Sequence, residues 1–231
     1  MQRNIYNQLL RWKNKKKRKP LILNGARQVG KTYILREFGQ KEYQKVAFFS
    51  LDRDQKVREV FEKSGSTADI LMALSAISQV DITPGDTLLV LDEIQDCPKA
   101  LEALKFFCEE TPDIHIVVAG SLLGLSLHDG TSYPVGKVEE MRLYPMTFLE
   151  FLNAMGKTQL VEIIENKKWA VVNMLQMELI GLLRQYYYVG GMPAAVRAHV
   201  EHNSLQEIRS IQLQILADYR RDFSKHAPAR E

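Results

Sequence analysis

Apolar positions in the first 145 residues follow two alternating rhythms. Ile5, Tyr6, Leu9 and Leu10 recur at helical spacing, and Leu21-Ile22-Leu23 then forms an unbroken apolar run ending at Asn24-Gly25. Short continuous runs read as strands buried on both faces, and stripes at i, i+3, i+4 read as amphipathic helices. Ile34, Leu35 and Phe38 mark the next helix, with Gly39 as its expected terminator. Val46 to Leu51, Thr87 to Leu91, Ile114 to Ala119 and Val138 to Leu143 are the expected second to fifth strands. Ser66 and Asp69 have the spacing of a capping box ahead of Ile70, Leu71, Leu74 and Ile77. Leu101, Leu104, Phe107 and Cys108 place a further helical stripe between the third and fourth strands. This alternation predicts an α/β fold, a parallel sheet sandwiched by helices.

After Tyr144-Pro145 only helix signals continue. Thr147 with Glu150, and Ser204 with Glu207, repeat the capping-box spacing, and Tyr186 to Gly191 is expected to interrupt the helices. The expected division is therefore an α/β core over residues 1–145 and a small all-helical lid or linker domain over 146–231. The chain has 231 residues, 45% apolar and 26% charged. That composition excludes a disordered, collagenous or disulfide-scaffold protein. Cys97 and Cys108 match no metal or redox spacing. His199 and His202 share a helix face without a third ligand, and are expected on a solvated surface. The most apolar stretch, Ile114 to Leu127, is too short to span a bilayer and contains His115, Ser121 and Ser126. No apolar segment follows Met1-Gln2-Arg3-Asn4, so a cytoplasmic protein is expected.

Charge is unevenly placed. The net charge is +3, yet seven of the 31 basic residues lie in Arg11 to Lys19: Arg11, Lys13, Lys15, Lys16, Lys17, Arg18 and Lys19. Without them 24 basic residues face 28 acidic ones, and the remainder is mildly acidic. Such a run either contacts nucleic acid or forms a solvated connector before the first strand, and the connector is the favoured reading.

The chemistry concentrates at strand ends. Gly25-Ala26-Arg27-Gln28-Val29-Gly30-Lys31-Thr32, followed by Tyr33, fits G-x-x-x-x-G-K-[ST] between an apolar strand and an amphipathic helix. Glycines let such a loop curl into a ring of N–H donors around phosphate, and the following helix aims its positive end at the same anion. Lys31 would reach the β- and γ-phosphates, and the Thr32 hydroxyl would hold Mg²⁺. Leu88-Leu89-Val90-Leu91-Asp92-Glu93 is an apolar strand closed by two carboxylates, the form of a Walker B motif. Asp92 would hold the metal and Glu93 would polarise an attacking water. Ile116-Val117-Val118-Ala119 ends at Gly120-Ser121, which puts a hydroxyl at a third strand end. Residues 122–135 form a long loop expected to move and to face a partner subunit.

These residues together resemble a bacterial and archaeal family of AAA-type P-loop ATPases, built from an N-terminal ATPase domain and a C-terminal domain of unknown function. The resemblance rests on the phosphate loop, on Leu91-Asp92-Glu93-Ile94-Gln95, on Gly120-Ser121-Leu122, on Leu143 to Phe151, and on Gly190-Gly191-Met192-Pro193. It implies ATP and Mg²⁺ as ligands, and Ser121 as the residue that senses the γ-phosphate and the lytic water. It also implies an arginine finger. Family members often carry Gly-Arg where this chain has Gly136-Lys137, and lysine lacks the planar fork of arginine. Arg142, or Arg220 or Arg221 acting on a neighbouring copy or partner, would then take that role. A further C-terminal domain beyond this chain is also expected.

Rival classes fit less well. Asn166-Lys167-Lys168-Trp169 lacks the aspartate of a guanine reader, and Asp92-Glu93-Ile94-Gln95 lacks the glycine of a GTPase. One phosphate loop is too few for a two-domain helicase, and no arginine cluster resembles a kinase lid. The expectation is Mg²⁺-dependent ATP binding and hydrolysis by a motor or switch with an unidentified partner. The alternative is a non-hydrolysing ATP-gated module that binds nucleic acid through residues 11–19.

Overall fold

The computed structural model describes residues 3–121 and 133–226. The chain divides into two compact units, one of Ile5–Ala26 and Gly30–Leu143, the other of Met1–Asn4, Arg27–Val29 and Tyr144–Glu231.

The first unit runs α1 (Ile5–Lys13), β1 (Leu21–Gly25), α2 (Lys31–Glu42), β2 (Lys45–Ser50), α3 (Gln55–Lys63), α4 (Thr67–Ser78), β3 (Thr87–Asp92), a single 3₁₀ turn (Ile94–Asp96), α5 (Pro98–Glu110), β4 (His115–Gly120) and β5 (Glu139–Leu143). The strands form one sheet in the order β2-β3-β4-β1-β5, and every pairing is parallel. β1, β3 and β4 are buried at every position, whereas the edge strands β2 and β5 alternate. Helices cover both faces of a parallel sheet, so its inner strands must be apolar on both sides. The five expected strands are all present, with bounds shifted by a residue at most ends.

Helix α2 departs from expectation. It passes through Gly39 and ends at Glu42, where the Tyr43 N–H donates to the Gly39 carbonyl. Gly39 is there for space. A Cβ at this position would lie 2.8 Å from Val46 Cγ2 and 3.4 Å from Leu88 Cδ2, so the missing side chain lets α2 approach the sheet. Helix α3 was not anticipated, because Val57 and Phe61 are its only buried residues. Asp69 N donates to Ser66 Oγ at the start of α4, as the capping pattern predicts.

Four residues of the basic run make contacts within this unit. Lys13 pairs with Glu42 and Lys15 with Glu139, Lys19 donates to the Gly136 carbonyl at 2.6 Å, and Arg18 donates to the Lys13 carbonyl at 3.1 Å. The Trp12 indole donates to the Lys19 carbonyl at 2.8 Å and closes the connector on itself. The run is fastened at these points, with Arg11, Lys15, Lys16 and Lys17 exposed.

In the second unit, α6 (Phe148–Ala154), α7 (Thr158–Glu165), α8 (Trp169–Met174), α9 (Gln176–Val189), α10 (Pro193–His202) and α11 (Leu205–His226) follow one another. Met146, Phe151, Val189, Ala195, Val196, Ala198 and Ile208 form one cluster, and Leu152, Leu160, Val161 and Leu182 another. Thr147 and Glu150 make both hydrogen bonds of a capping box. The tyrosine run continues α9 to Val189, so the break falls only at Gly190, whose φ of 74° and ψ of −178° suit glycine alone. At Gly191 two backbones meet. Met146 N donates to the Gly191 carbonyl at 2.6 Å, and Tyr186 Oη donates to the Met146 carbonyl at 2.8 Å. A Cβ on Gly191 would lie 2.3 Å from the Met146 carbonyl oxygen. The segments Leu143 to Phe151 and Gly190 to Pro193 thus meet through this close approach of Met146 and Gly191. His199, expected on a solvated face, is 9% exposed and stacks on Phe151 with ring centroids 5.7 Å apart. Residues 122–132 of the expected partner-facing loop lie outside the described residues.

Two outcomes follow from this packing. Gly191→Ala forces the Met146 and Gly191 backbones apart and should lower stability by about 1–3 kcal/mol. A denaturant midpoint equal to wild type would show that the two segments separate freely. The second concerns His115, which is buried beside Trp12 and whose Nδ1 lies 2.7 Å from Tyr43 Oη. Burial, helped by the nearby Arg18 and Lys13 charges, lowers its pKa from 6.5 to about 4. The fold holds the ring neutral, so its contribution is complete above pH 6.5 and is lost as pH falls to about 4. Between those limits wild-type stability should fall more steeply than that of His115→Gln, by on the order of 3 kcal/mol at most. Parallel pH profiles of the two proteins would contradict this.

Candidate functional site

The register of the sheet assembles the site. Asn24 of β1 lies opposite Gly120 of β4, and Leu91 of β3 opposite Val118 of β4. β4 is flanked by β1 and β3, so the carboxyl ends of all three lie side by side. Those ends carry Gly25 with the loop, Asp92-Glu93, and Ser121. In an open parallel sheet this edge, next to the point where strand order reverses, is where ligands collect.

The loop runs from the last residue of β1 to the first residues of α2. Gln28 and Gly30 both have positive φ, 63° and 99°, with Val29 between them. Alternation of handedness in successive residues turns neighbouring N–H groups to one side and creates a concave anion nest. Lys31 is 7% exposed, and its ammonium donates to the carbonyls of Gly25 at 2.9 Å and Ala26 at 3.0 Å. Tyr33, one turn into α2, is 59% exposed.

Thr32 Oγ1 donates to Asp92 Oδ2 at 2.6 Å, joining the loop to the end of β3. Asp92 is 3% exposed; its Oδ1 accepts from the Glu93 N–H at 3.1 Å, and its carbonyl accepts from the Leu51 N–H at 2.9 Å. This carboxylate therefore has a fixed orientation. A hydroxyl and a carboxylate in direct contact supply the hard oxygen donors that suit Mg²⁺, which keeps most of its coordination for water and phosphate. Among the described residues no group of three or more His, Cys, Asp or Glu side chains forms a metal site.

Glu93 adopts φ 54° and ψ 49°, the left-handed region that costs a side-chain-bearing residue about 1–2 kcal/mol. Its Oε2 accepts from Gln95 Nε2 at 2.5 Å. Strain of this kind gathers where a side chain must be aimed. Ser121 is 4% exposed. Arg142 is exposed on the edge strand β5, in register with Asn24. Lys137, at the position expected for a finger, pairs with Glu109 at 2.8 Å. Arg220 and Arg221 are exposed on α11. The loop, Thr32, Asp92, Glu93 and Ser121 thus lie at one sheet edge.

Three side chains at the loop escaped sequence reasoning. Arg3, 7% exposed, donates through Nε to Glu150 Oε1 at 3.2 Å, through Nη1 to the Val29 carbonyl at 3.1 Å and through Nη2 to the Tyr144 carbonyl at 2.6 Å. Tyr219 Oη donates to the Arg27 carbonyl at 2.9 Å, and Asp218 Oδ2 accepts from Gln28 Nε2 at 2.8 Å. These partners lie up to 192 residues apart, beyond any local pattern.

A five-stranded parallel sheet in this order, with a phosphate loop after β1 and an acidic pair closing β3, defines the AAA type of P-loop ATPase fold. Comparison with known proteins agrees: the AAA domain family model matches residues 17–152, and the chain belongs to that family. A domain of unknown function (DUF8612) matches residues 180–231. The Walker-type ATPase PABY2304 of Pyrococcus abyssi is similar in structure, with a TM-score of 0.55 and 14% identity over 98% of this chain and 76% of that one. A structure of Drosophila ORC bound to DNA gives a TM-score of 0.48 with 14% identity over 97% of this chain and 67% of that one. Cdc6p from Pyrobaculum aerophilum gives 0.41 with 17% identity over 65% and 48%. No curated protein sequence matches the chain. Among the described residues no helix is long and apolar enough to cross a membrane.

The backbone at Glu93 yields its own test. Glu93→Gly removes the steric cost of the left-handed conformation and Glu93→Ala keeps it, so the glycine variant should be the more stable by about 1 kcal/mol. Equal urea midpoints would mean that this residue carries no strain.

Proposed function

We propose that this chain binds ATP with Mg²⁺ on residues Gly25 to Tyr33 and hydrolyses it, acting as a motor or switch for a partner. The observation that carries the proposal is the 2.6 Å contact between Thr32 Oγ1 and Asp92 Oδ2, because it joins the phosphate loop to the acidic strand end. Lys31 would set its charge against the β- and γ-phosphates, and the loop N–H groups would receive the remaining oxygens. Thr32 and Asp92 would hold the metal. Magnesium, when bound, supplies neutralisation of the charge shared by the β- and γ-phosphates.

Glu93 would accept a hydrogen bond from the attacking water and orient it. Gln95, hydrogen-bonded to the Glu93 carboxylate, would keep that side chain in place. Ser121, at the neighbouring strand end, would read the γ-phosphate. Arg142 is our candidate for the finger, since it is exposed on an edge strand where another copy or a protein partner has access. Its action across an interface would make turnover depend on assembly. A missing finger alone can cost on the order of 10³–10⁵ in rate. The alternative is an ATP-gated nucleic-acid module using residues 11–19, of which Lys13, Lys15, Arg18 and Lys19 make contacts within their own fold and Arg11, Lys15, Lys16 and Lys17 are exposed.

Purified wild type, Lys31→Ala and Glu93→Gln, assayed with Mg²⁺ and ATP at several protein concentrations, test this reading. Wild type should bind and turn over ATP, with specific activity rising with concentration. Lys31→Ala should lose nucleotide affinity by at least tenfold. Glu93→Gln should bind as wild type and turn over at least a hundredfold more slowly. Normal affinity in Lys31→Ala would sink the loop assignment, and unchanged turnover in Glu93→Gln would remove Glu93 from the mechanism.

A further inference from the structure

We infer that Tyr219 and Arg3 are positioning residues for phosphate binding, which they control by holding the outer carbonyls of the nucleotide loop; this rests on the reading of that loop as an ATP site. The contacts belong to one unit, which contains Arg3, the loop residues Arg27–Val29, and α11. Each of the three loop residues is held differently. The Arg27 carbonyl accepts from Tyr219 at 2.9 Å, the Gln28 side chain donates to Asp218 at 2.8 Å, and the Val29 carbonyl accepts from Arg3 at 3.1 Å.

The geometry of a trans peptide turns these outer bonds into control of the inner face. Within one planar unit the C=O of residue i and the N–H of residue i+1 point in opposite directions. No cis peptide occurs among the described residues. When Tyr219 fixes the Arg27 carbonyl, it therefore aims the Gln28 N–H the other way. When Arg3 fixes the Val29 carbonyl, it aims the Gly30 N–H away from the guanidinium. These two donors belong to the residues with positive φ, where the loop makes its nest. A nest binds an anion well only if its donors are already aimed, since aiming them on binding costs ordering free energy.

Arg3 is itself fixed. Glu150 Oε1 accepts from Arg3 Nε and from the Asn4 N–H at 2.7 Å, while Glu150 Oε2 accepts from the Thr147 N–H at 2.8 Å. Both members of the ion pair are about 5% exposed, so neither has water as an alternative partner. The fork of arginine reaches Glu150, Val29 and Tyr144 at once, a task that the single ammonium of lysine cannot match. The capping box of α6 thus has a second role, as the anchor of a loop-holding arginine.

Binding of Mg-ATP, and of Mg-tripolyphosphate as a probe of the phosphate loop alone, tests this in wild type, Tyr219→Phe and Arg3→Lys. Tyr219→Phe keeps the ring and deletes one donor. It should weaken both ligands by the same factor, about 3–10-fold, the range of a single hydrogen bond. KM for ATP should rise by that factor as well. Arg3→Lys should weaken both ligands further, and Tyr219→Phe serves as the readout if Arg3→Lys folds poorly. A purely structural role for Tyr219 would lower the thermal midpoint and leave both affinities unchanged, which would overturn the proposal. Weakening of ATP but not of tripolyphosphate would place Tyr219 at the nucleoside and would equally overturn it. Wild type that binds neither ligand would overturn the ATP reading itself.

Discussion

Backbone hydrogen bonding between parallel strands leaves little freedom in where their carboxyl ends fall once the register is set. Pairing β1 with β4 and β4 with β3 places Gly25, Ser121 and Asp92 at one edge of the sheet. Helices α2 and α5 follow β1 and β3 in the chain, so the loops at these two strand ends lead from strand to helix. The helix after β1 brings Lys31 and Thr32 with it, and the turn after β3 brings Glu93. A change of register by one residue would invert every inward side chain and separate Thr32 from Asp92. The apolar cores of the inner strands, with Ile22, Leu89, Leu91, Ile116 and Val118 fully buried, oppose such a slip.

The parts of the fold governed by local periodicity were legible in the residues. β1, β3 and β4 are apolar on both faces because they are buried on both, and the phosphate loop follows from eight consecutive residues. The apolar run of β3 ends in Asp92 and Glu93, and its register brings Asp92 to the Thr32 hydroxyl. The misreadings have a common cause: a residue can serve packing where its local meaning suggests termination. Gly39 reads as a helix stop, yet it is a contact surface for Val46. Tyr186 to Gly191 reads as a break, and the break falls at its end, at Gly190, while the tyrosines extend α9 and Tyr186 packs against Phe148 and Phe151. α3 was missed because two buried residues in nine make a faint stripe. His199 reads as polar surface, yet α10 turns it onto Phe151. Arg3 and Tyr219 lay out of reach, since no local rule relates residue 3 to residue 29 or residue 219 to residue 27.

The buried carboxylates Asp92 and Glu150 solve different problems. At Asp92-Glu93 the acids sit at a strand end beside a hydroxyl and a strained backbone, an arrangement suited to ligand chemistry. At Glu150 the acid is consumed by helix capping and by the Arg3 guanidinium, with both oxygens committed to donors. Burial alone does not separate them, because Asp92 and Glu150 are similarly inaccessible, at 3% and 4% exposed. Their partners do: one carboxylate meets a hydroxyl that a metal can share, while the other is saturated by N–H groups.

The wide sequence separation around the loop also orders events in time. The Arg27 carbonyl emerges early in synthesis, while the Tyr219 hydroxyl that holds it is made 192 residues later. At translation rates of about 5–20 residues per second, roughly 10–40 s pass between the two. During that interval β1, β3 and β4 can pair and Thr32 can meet Asp92, but the outer side of the loop lacks its final support. Nascent chains would therefore carry a recognisable nucleotide motif before they carry a fully braced one. Synthesis of α11 is the step that closes this gap.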